Sequence, residues 1–386
     1  MAIRLVDTQE TFDALLSDIS GAPLVALDTE AASFHRYHDR IYLIQLSTPS
    51  LTAVIDPLGV TDLSPIGALL ADPDTEKVFH DADYDLRLFD RQFGFRAKRL
   101  FDTRIAAQFL SEPGIGLGAL LEKYFGVTAD KRFQRADWSA RPLSAPMLEY
   151  AAGDTLNLCE LRHILRQKLS DSGRISWVDE ECTLLEGTRW TAPEADPELD
   201  YLRLKGAKAL DRRSLALLRE LHGWRAATAA TLDRAEFRVL VNEVLLHLAQ
   251  HPVTTIAELA SVRGMGREIL DRRGEEILAA IQRGQAVADA DLPRLPRPAR
   301  RMSDPALDLR LEALKKERNA AAARLDLAPG VLCPNGTLEA IARAEPENLG
   351  ALEGVAGVRR WQLDVLGAGL LAAMHAVQPV EAGRLE

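Results

Sequence analysis

Three short stretches of the chain carry side chains able to do chemistry. Asp28-Thr29-Glu30 follows the apolar run Leu24-Val25-Ala26-Leu27, so an Asp-x-Glu triplet stands where a buried strand emerges. Residues i and i+2 of a strand share a face, which lets both carboxylates converge on one point. Two carboxylates held that close repel each other unless a cation joins them. Val78-Phe79-His80-Asp81-Ala82-Asp83-Tyr84-Asp85 is the second stretch. There Asp81, Asp83 and Asp85 all suit the first turn of a helix, where the helix dipole favours negative charge whether or not a ligand is present. The third is Tyr150-Ala151-Ala152-Gly153-Asp154. Spacing of i and i+4 on a helix aims the phenol and the carboxylate into one cleft. Each stretch alone is compatible with an ordinary solvated surface. No cluster of His or Cys accompanies them, so zinc is disfavoured.

Elements of α/β type must position these groups. Ile41–Ser47 and Thr52–Ile55 are β-branched or aromatic runs bounded by Pro49, Ser50 and Pro57, as strands are. Residues 62–71 have helical spacing, Val78-Phe79-His80 reads as a short strand, and Asp83–Phe93 reads as a helix. Asp102 is placed as the N-cap of a helix running to Leu110. From Ser144 one long helix is expected to continue through Leu165. Strands interleaved with helices predict an α/β layer fold over residues 1–190.

Beyond residue 190 the pattern is helical throughout, punctuated by proline-bearing polar stretches at Thr191–Asp200 and Leu292–Arg301. This half repeats itself at an offset of 93 residues. The offset aligns Arg225 with Arg318, Leu232-Asp233 with Leu325-Asp326, Gly264 with Gly357, Leu270-Asp271 with Leu363-Asp364 and Gly274 with Gly367. A duplicated helical domain is the reading. The expected division is 1–190, 201–284 and 305–378.

At 386 residues the chain is long enough for two or three cores. It has no run of some 18 apolar residues and no secretory pattern at Met1-Ala2-Ile3-Arg4, and its three cysteines are far apart. A reducing cytoplasm is the expected compartment. The net charge of −10 is unevenly spread. Residues 1–190 hold 20 Lys/Arg against 29 Asp/Glu, residues 201–284 hold 14 against 10, and residues 294–324 hold 9 against 4. An acidic domain is thus followed by two basic stretches, which suits either solvated faces or nucleic-acid contacts. Walker-type G-x-x-x-x-G-K-[ST], G-x-S-x-G and H-E-x-x-H motifs are absent.

Taken together, Asp-x-Glu on a strand, an Asp opening a helix after a histidine, and Tyr-x-x-x-Asp on a late helix resemble the three motifs of the DEDDy exonucleases. Leu43-Ile44-Gln45-Leu46, Phe101-Asp102-Thr103 and Asp137-Trp138-Ser139-Ala140-Arg141-Pro142-Leu143 narrow the likeness to the ribonuclease D family. The helical repeats are similar to tandem HRDC domains. The resemblance implies a ribonuclease H-like fold and a 3′-5′ exoribonuclease releasing 5′-mononucleotides, with tRNA precursors as the leading substrate. It implies two divalent ions, Mg²⁺ or Mn²⁺, held by Asp28, Glu30, Asp85 and Asp154, with Tyr150 orienting the attacking water. Thr29, Gln45 and His80 are candidate substrate contacts; His80 can equally be a buried structural histidine. Trp138 and Arg141 are expected to lock the long helix against the sheet. The family commonly has Phe directly after Asp-Thr-Glu, whereas here Ala31-Ala32-Ser33 precedes Phe34. Arg294, Arg297, Arg300 and Arg301 are the first candidates for contacts to a longer RNA. The competing readings are a 3′-5′ DNA exonuclease and a catalytically silent RNA-binding scaffold.

Overall fold

The computed structural model describes residues 3–128, 130, 132–192, 196–295 and 304–377. The first half runs β1 (Ile3–Val6), α1 (Gln9–Asp18), β2 (Leu24–Ala31), β3 (Ile41–Ser47), β4 (Thr52–Ile55), α2 (Ser64–Ala71), β5 (Glu76–Phe79), α3 (Asp83–Phe93) and β6 (Leu100–Asp102). It continues with α4 (Thr103–Phe109), α5 (Leu117–Phe125), α6 (Ala145–Leu156), α7 (Leu158–Asp171) and α8 (Ile175–Leu185). The six strands form one mixed sheet in the order β1-β4-β3-β2-β5-β6, with β3 antiparallel to β2 and β4, and the remaining pairs parallel. β3 and β4 are buried along their whole length, so each of their faces packs against something. Leu43 and Val54 join Trp138, Ala151 and Ala152 on the α6 side, while Ile44, Leu46, Ala53 and Ile55 enter the main core on the other.

The single helix expected from Ser144 is two. Asn157 leaves helical geometry (φ −107°, ψ 0°) and divides α6 from α7. Asparagine competes with the backbone for local hydrogen bonds and is a poor interior helix residue. The break lets α6 cover β1–β4 and then lets α7 turn onto β2 and β5.

The helical half consists of α9 (Arg212–Leu232), α10 (Glu236–Val239), α11 (Asn242–Gln250), α12 (Ile256–Ser261) and α13 (Arg267–Ala286), followed by a second set. That set is α14 (Pro305–Leu325), α15 (Pro329–Leu332), α16 (Asn335–Ala344), α17 (Leu349–Glu353), α18 (Arg360–Gln362) and α19 (Ala368–His375), with a π turn at Leu363–Gly367 joining the last two. The offset of 93 holds to the residue at both ends of α9 and α14, and their N-caps are Asp211 and Asp304. It also holds inside. Buried Arg225 donates to Leu240 O at 3.1 Å and Asn242 Oδ1 at 2.7 Å, and Arg318 donates to Cys333 O and Asn335 Oδ1 at the same two distances. Gly264 and Gly357 share left-handed φ values of 91° and 86°. No strand occurs after residue 190 among the described residues.

The first linker stretch is only partly a linker: Pro197–Arg203 winds into 3-10 turns, and Tyr201 and Leu202 enter the core of the first repeat. In the second stretch Arg294 is exposed, while Arg297, Arg300, Arg301 and the domain end at Gln378 lie outside the described residues.

The two repeats are attached to the sheet domain differently. The second repeat shares one continuous hydrophobic core with it. Trp361 stacks on Trp177 of α8 (centroids 5.1 Å, interplanar 18°) and meets Phe109 of α4 edge-on at 5.1 Å. Trp361 Nε1 donates to Glu181 at 2.9 Å, and Arg359 pairs with the same carboxylate at 3.1 Å. The first repeat keeps its own core. It touches the sheet domain through hydrogen bonds from Ala235 N to His35 O (3.1 Å) and from His38 N to Asp233 Oδ1 (3.0 Å). No helix among the described residues is long and apolar enough to cross a membrane.

Candidate functional site

β2 is the central support. It pairs with β3 so that Asp28 stands opposite Gln45 and Glu30 opposite Leu43. Side chains directly opposite one another on paired strands share a face. Asp28 and Glu30 therefore point to the side covered by α6, and α6 brings Asp154 to meet them. Ligand oxygens of Asp28, Glu30 and Asp154 all lie within 4.8 Å of one another. Tyr150, one turn before Asp154, packs its ring on Trp138 (5.8 Å) and Phe133 (5.9 Å, interplanar 63°). Trp138 is buried, and Arg141 ties the same loop to Asp56 Oδ1 and to Tyr42 O, each at 2.9 Å. Both residues thus brace α6 against the sheet, as the sequence implied.

Asp85, in the first turn of α3, stands beside this group of three rather than within it. It is 5% exposed, accepts a hydrogen bond from Thr29 Oγ1, and its charge raises the pKa of Asp28. The other two carboxylates of the motif are engaged elsewhere: Asp81 with Arg104, and Asp83 with Arg87 at 2.7 Å. Asp102 caps α4 through Arg104 N (2.8 Å) and Ile105 N (3.1 Å). It also accepts from Ala82 N at 2.7 Å, which fixes the turn that launches α3.

The electrostatics follow from burial and crowding. Burial, reinforced by Asp85, Asp154 and Glu30, pushes Asp28 well above the usual carboxylate range. Burial with Asp154 and Asp85 pushes Glu30 up to about 9. Asp85 and Asp154 are each raised to about 7, chiefly by burial. Such a cluster stays ionised near neutral pH only with a positive partner. The donor set is oxygen alone, which fits hard divalent cations and not zinc. Tyr150 is also raised, by burial first and then by Asp154, Glu30 and Asp28, so its phenol keeps its proton.

Of the three candidate substrate contacts, Thr29 and Gln45 are buried and His80 is partly exposed. Thr29 is 8% exposed and spends its hydroxyl on Asp85. Gln45 is wholly buried beside Asp28, with both amide atoms unpartnered, so it faces the carboxylates and not solvent. His80 meets Thr103 Oγ1 at 2.9 Å, and burial lowers its pKa to about 4. A neutral, tethered imidazole suits the structural role that the sequence also allowed for His80. Residues the sequence did not single out complete the surroundings. Phe133 closes on Tyr150, and a cleft of about 260 Å³ between α5, α6 and the loop joining them is lined by Val127, Thr128, Arg132, Glu149, Tyr150 and Asp154. These loop residues have no periodicity to mark them, and only their place between two motifs could have pointed to them.

Comparison with known proteins places this geometry. A 3′-5′ exonuclease family model matches residues 3–170, and an HRDC domain model matches residues 214–281 and 309–374. Ribonuclease D of Granulibacter bethesdensis is 33% identical over 371 residues, covering 95% of this chain and 91% of its own length. Ribonuclease D of Escherichia coli K12 is 34% identical over 295 residues, covering 76% and 78%. The crystal structure of Escherichia coli RNase D, described as an exoribonuclease involved in structured RNA processing, superposes with a TM-score of 0.65 at 28% identity, over 97% of this chain and 99% of that one. A Bifidobacterium adolescentis protein superposes with a TM-score of 0.78 over 96% of this chain and 97% of its own, and at 24% identity it shares the fold.

Proposed function

Since the chain belongs to the ribonuclease D family and is a 3′-5′ exoribonuclease, we propose that Asp28, Glu30, Asp85 and Asp154 hold two divalent ions, Mg²⁺ or Mn²⁺, and that Tyr150 orients the attacking water. The observation that carries this reading is the convergence of three carboxylates from a strand and a helix within 4.8 Å, with a fourth beside them. When bound, such ions supply hydroxide at neutral pH and neutralise charge on the leaving 3′-oxygen. The protein's own part is to hold the donors rigid. Thr29 fixes Asp85, and Trp138 and Phe133 fix the Tyr150 ring. The protonated phenol gives a hydrogen bond that aligns a water without competing for the ions.

The division of labour we propose is residues 1–190 as the nuclease, with residues 201–284 and 305–378 as its two HRDC-like attachments. Structured RNA, and tRNA precursors in particular, are the proposed substrates. The description of the Escherichia coli relative and the basic charge of both helical stretches support this. The test is release of 5′-mononucleotides from 3′-extended tRNA and from DNA of matching sequence, in Mg²⁺, in Mn²⁺ and in a chelator. Trimming of the RNA that stops in the chelator is expected. Trimming of DNA with equal efficiency, or activity that survives chelation, would sink the substrate and metal assignments respectively.

A further inference from the structure

The first repeat meets the nuclease domain at a seam where two large aromatic side chains remain in the open. Phe34 lies four residues past Glu30 in the β2–β3 connection, and Phe237 lies in α10. They are 43% and 46% exposed, with their rings edge-to-face at 6.4 Å and 75°. We propose that this pair is a stacking platform for an unpaired nucleobase of the RNA, upstream of the 3′-terminal nucleotide. The platform is complete only when the two domains are docked. The proposal rests on the exoribonuclease reading and adds a binding site to it.

Four observations carry it. Phenylalanine is ordinarily a core residue, and here two exposed rings meet each other, one of them four residues past Glu30 in sequence. The segments that carry the rings are tied across the seam: Arg238 Nε donates to Phe34 O at 2.5 Å, and Ala235 N donates to His35 O at 3.1 Å. A guanidinium lies over each ring, that of Arg135 5.1 Å from the Phe34 centroid and that of Arg238 5.8 Å from the Phe237 centroid, so a base would stack on a face these leave free. Finally, the loop that supplies Arg135 also supplies Phe133 and Trp138, the two residues against Tyr150, so one short segment links platform and carboxylates.

Charge selects the occupant. The two nuclease segments at the seam, 32–40 and 132–141, carry five arginines against two aspartates, inside a domain that is otherwise strongly acidic. Two of the arginines have carboxylate partners, Arg132 with Asp130 and Arg141 with Asp56, while Arg36 is turned to Ser139 Oγ at 2.7 Å. Aromatic faces set among arginines match alternating bases and phosphates. Stacking also tolerates every base, because every base has a π-face. An enzyme that removes nucleotides one after another draws each base through each subsite, so a contact indifferent to sequence suits it better than hydrogen-bond readout.

The experiment uses the full chain. Phe237→Ala should raise KM for a seven-nucleotide single-stranded RNA roughly tenfold with kcat near that of the unaltered chain, the range expected for one stacked base. The loss should be several-fold greater than any change on bis(p-nitrophenyl) phosphate, a diester too small to span the seam. With Ca²⁺ replacing the catalytic ion, 2-aminopurine at one internal position of the RNA should be quenched by the unaltered chain and by Phe237→Trp, and not by Phe237→Ala. Phe237→Leu keeps apolar bulk without a π-face and should lose the quenching too. Quenching that survives in Phe237→Leu, or an equal loss on the RNA and on the small diester, overturns the platform and leaves Phe237 as seam packing. An unaltered chain that cleaves RNA while Phe237→Ala behaves identically also removes the platform alone. An unaltered chain that cleaves no RNA removes the exoribonuclease reading itself.

Discussion

Glu30 shows what crowding does to a carboxylate. Its ordinary pKa of 4.5 rises to about 9 in the folded chain, so between those values the folded state binds a proton that the unfolded state has released. In chelator, stability should therefore fall as pH rises from about 4.5 to about 9, by an amount on the order of a few kcal/mol. Glu30→Gln should flatten that dependence while taking hydrolysis below about a tenth of the original rate at saturating Mg²⁺. Thermal melts across the pH range check the first half, and a slope unchanged by the substitution would contradict it. Tyr150→Phe keeps the ring on Trp138 and removes the hydroxyl. A fall in kcat of about 10²–10⁴-fold with little change in KM is expected, and single-turnover rates with labelled RNA decide it. An unaltered rate would make Tyr150 a packing residue. At this scale the sequence exposed the charged members of the site and not their partners. Asp28, Glu30 and Asp154 are legible because strand and helix periodicity fix their directions. Thr29 and Gln45 are buried and His80 is tethered to Thr103, but these surroundings depend on what α3, α4 and α6 lay over them, and no local pattern records that.

Between residues and whole domains, the conserved geometry of the two repeats depends on one arginine each. Arg225 and Arg318 are 3% and 8% exposed, and each joins its long first helix to the turn that follows the next short helix. Arg225→Ala would leave the buried Leu240 carbonyl without its donor and remove the partner of Asn242 and Glu236, costing roughly 1–3 kcal/mol. Urea unfolding followed by circular dichroism is the measurement, and a change under about 0.5 kcal/mol would refute the role. The duplication was legible because an offset of 93 preserves positions of backbone necessity, Gly264 and Gly357 at positive φ among them. Elements were legible in proportion to how apolar they are. β3 and β4 are buried on both sides and announce themselves, whereas β1 is a largely exposed four-residue edge strand and β6 has three residues. Neither stood out, and the break at Asn157 was hidden because apolar spacing continues across it.

For the molecule as a whole, the fused core changes what the helical half means. Charge patterning suggests an appendage, yet Trp361 is 3% exposed, stacked on Trp177 and edge-on to Phe109 of the nuclease domain. Trp361→Ala should destabilise the entire chain by about 3–5 kcal/mol. Differential calorimetry should show nuclease domain and second repeat losing stability together, while the first repeat, with its separate core, is less affected. A substitution that melts only the second repeat would contradict the shared core. The same stack bears on how the protein is made. All five proposed site residues are present by residue 154, but the ring that covers α8 is not translated until residue 361. At ~5–20 residues per second, the 184 residues separating Trp177 from Trp361 leave that apolar ledge bare for about 10–40 s. Chains stalled in this interval carry a full set of carboxylates on an unfinished surface. Chaperones and proteases would therefore recognise an incomplete nuclease by its uncovered tryptophan ledge and not by any defect in its chemistry. Crosslinking of a holdase to nascent chains ending before and after residue 361 would reveal the switch.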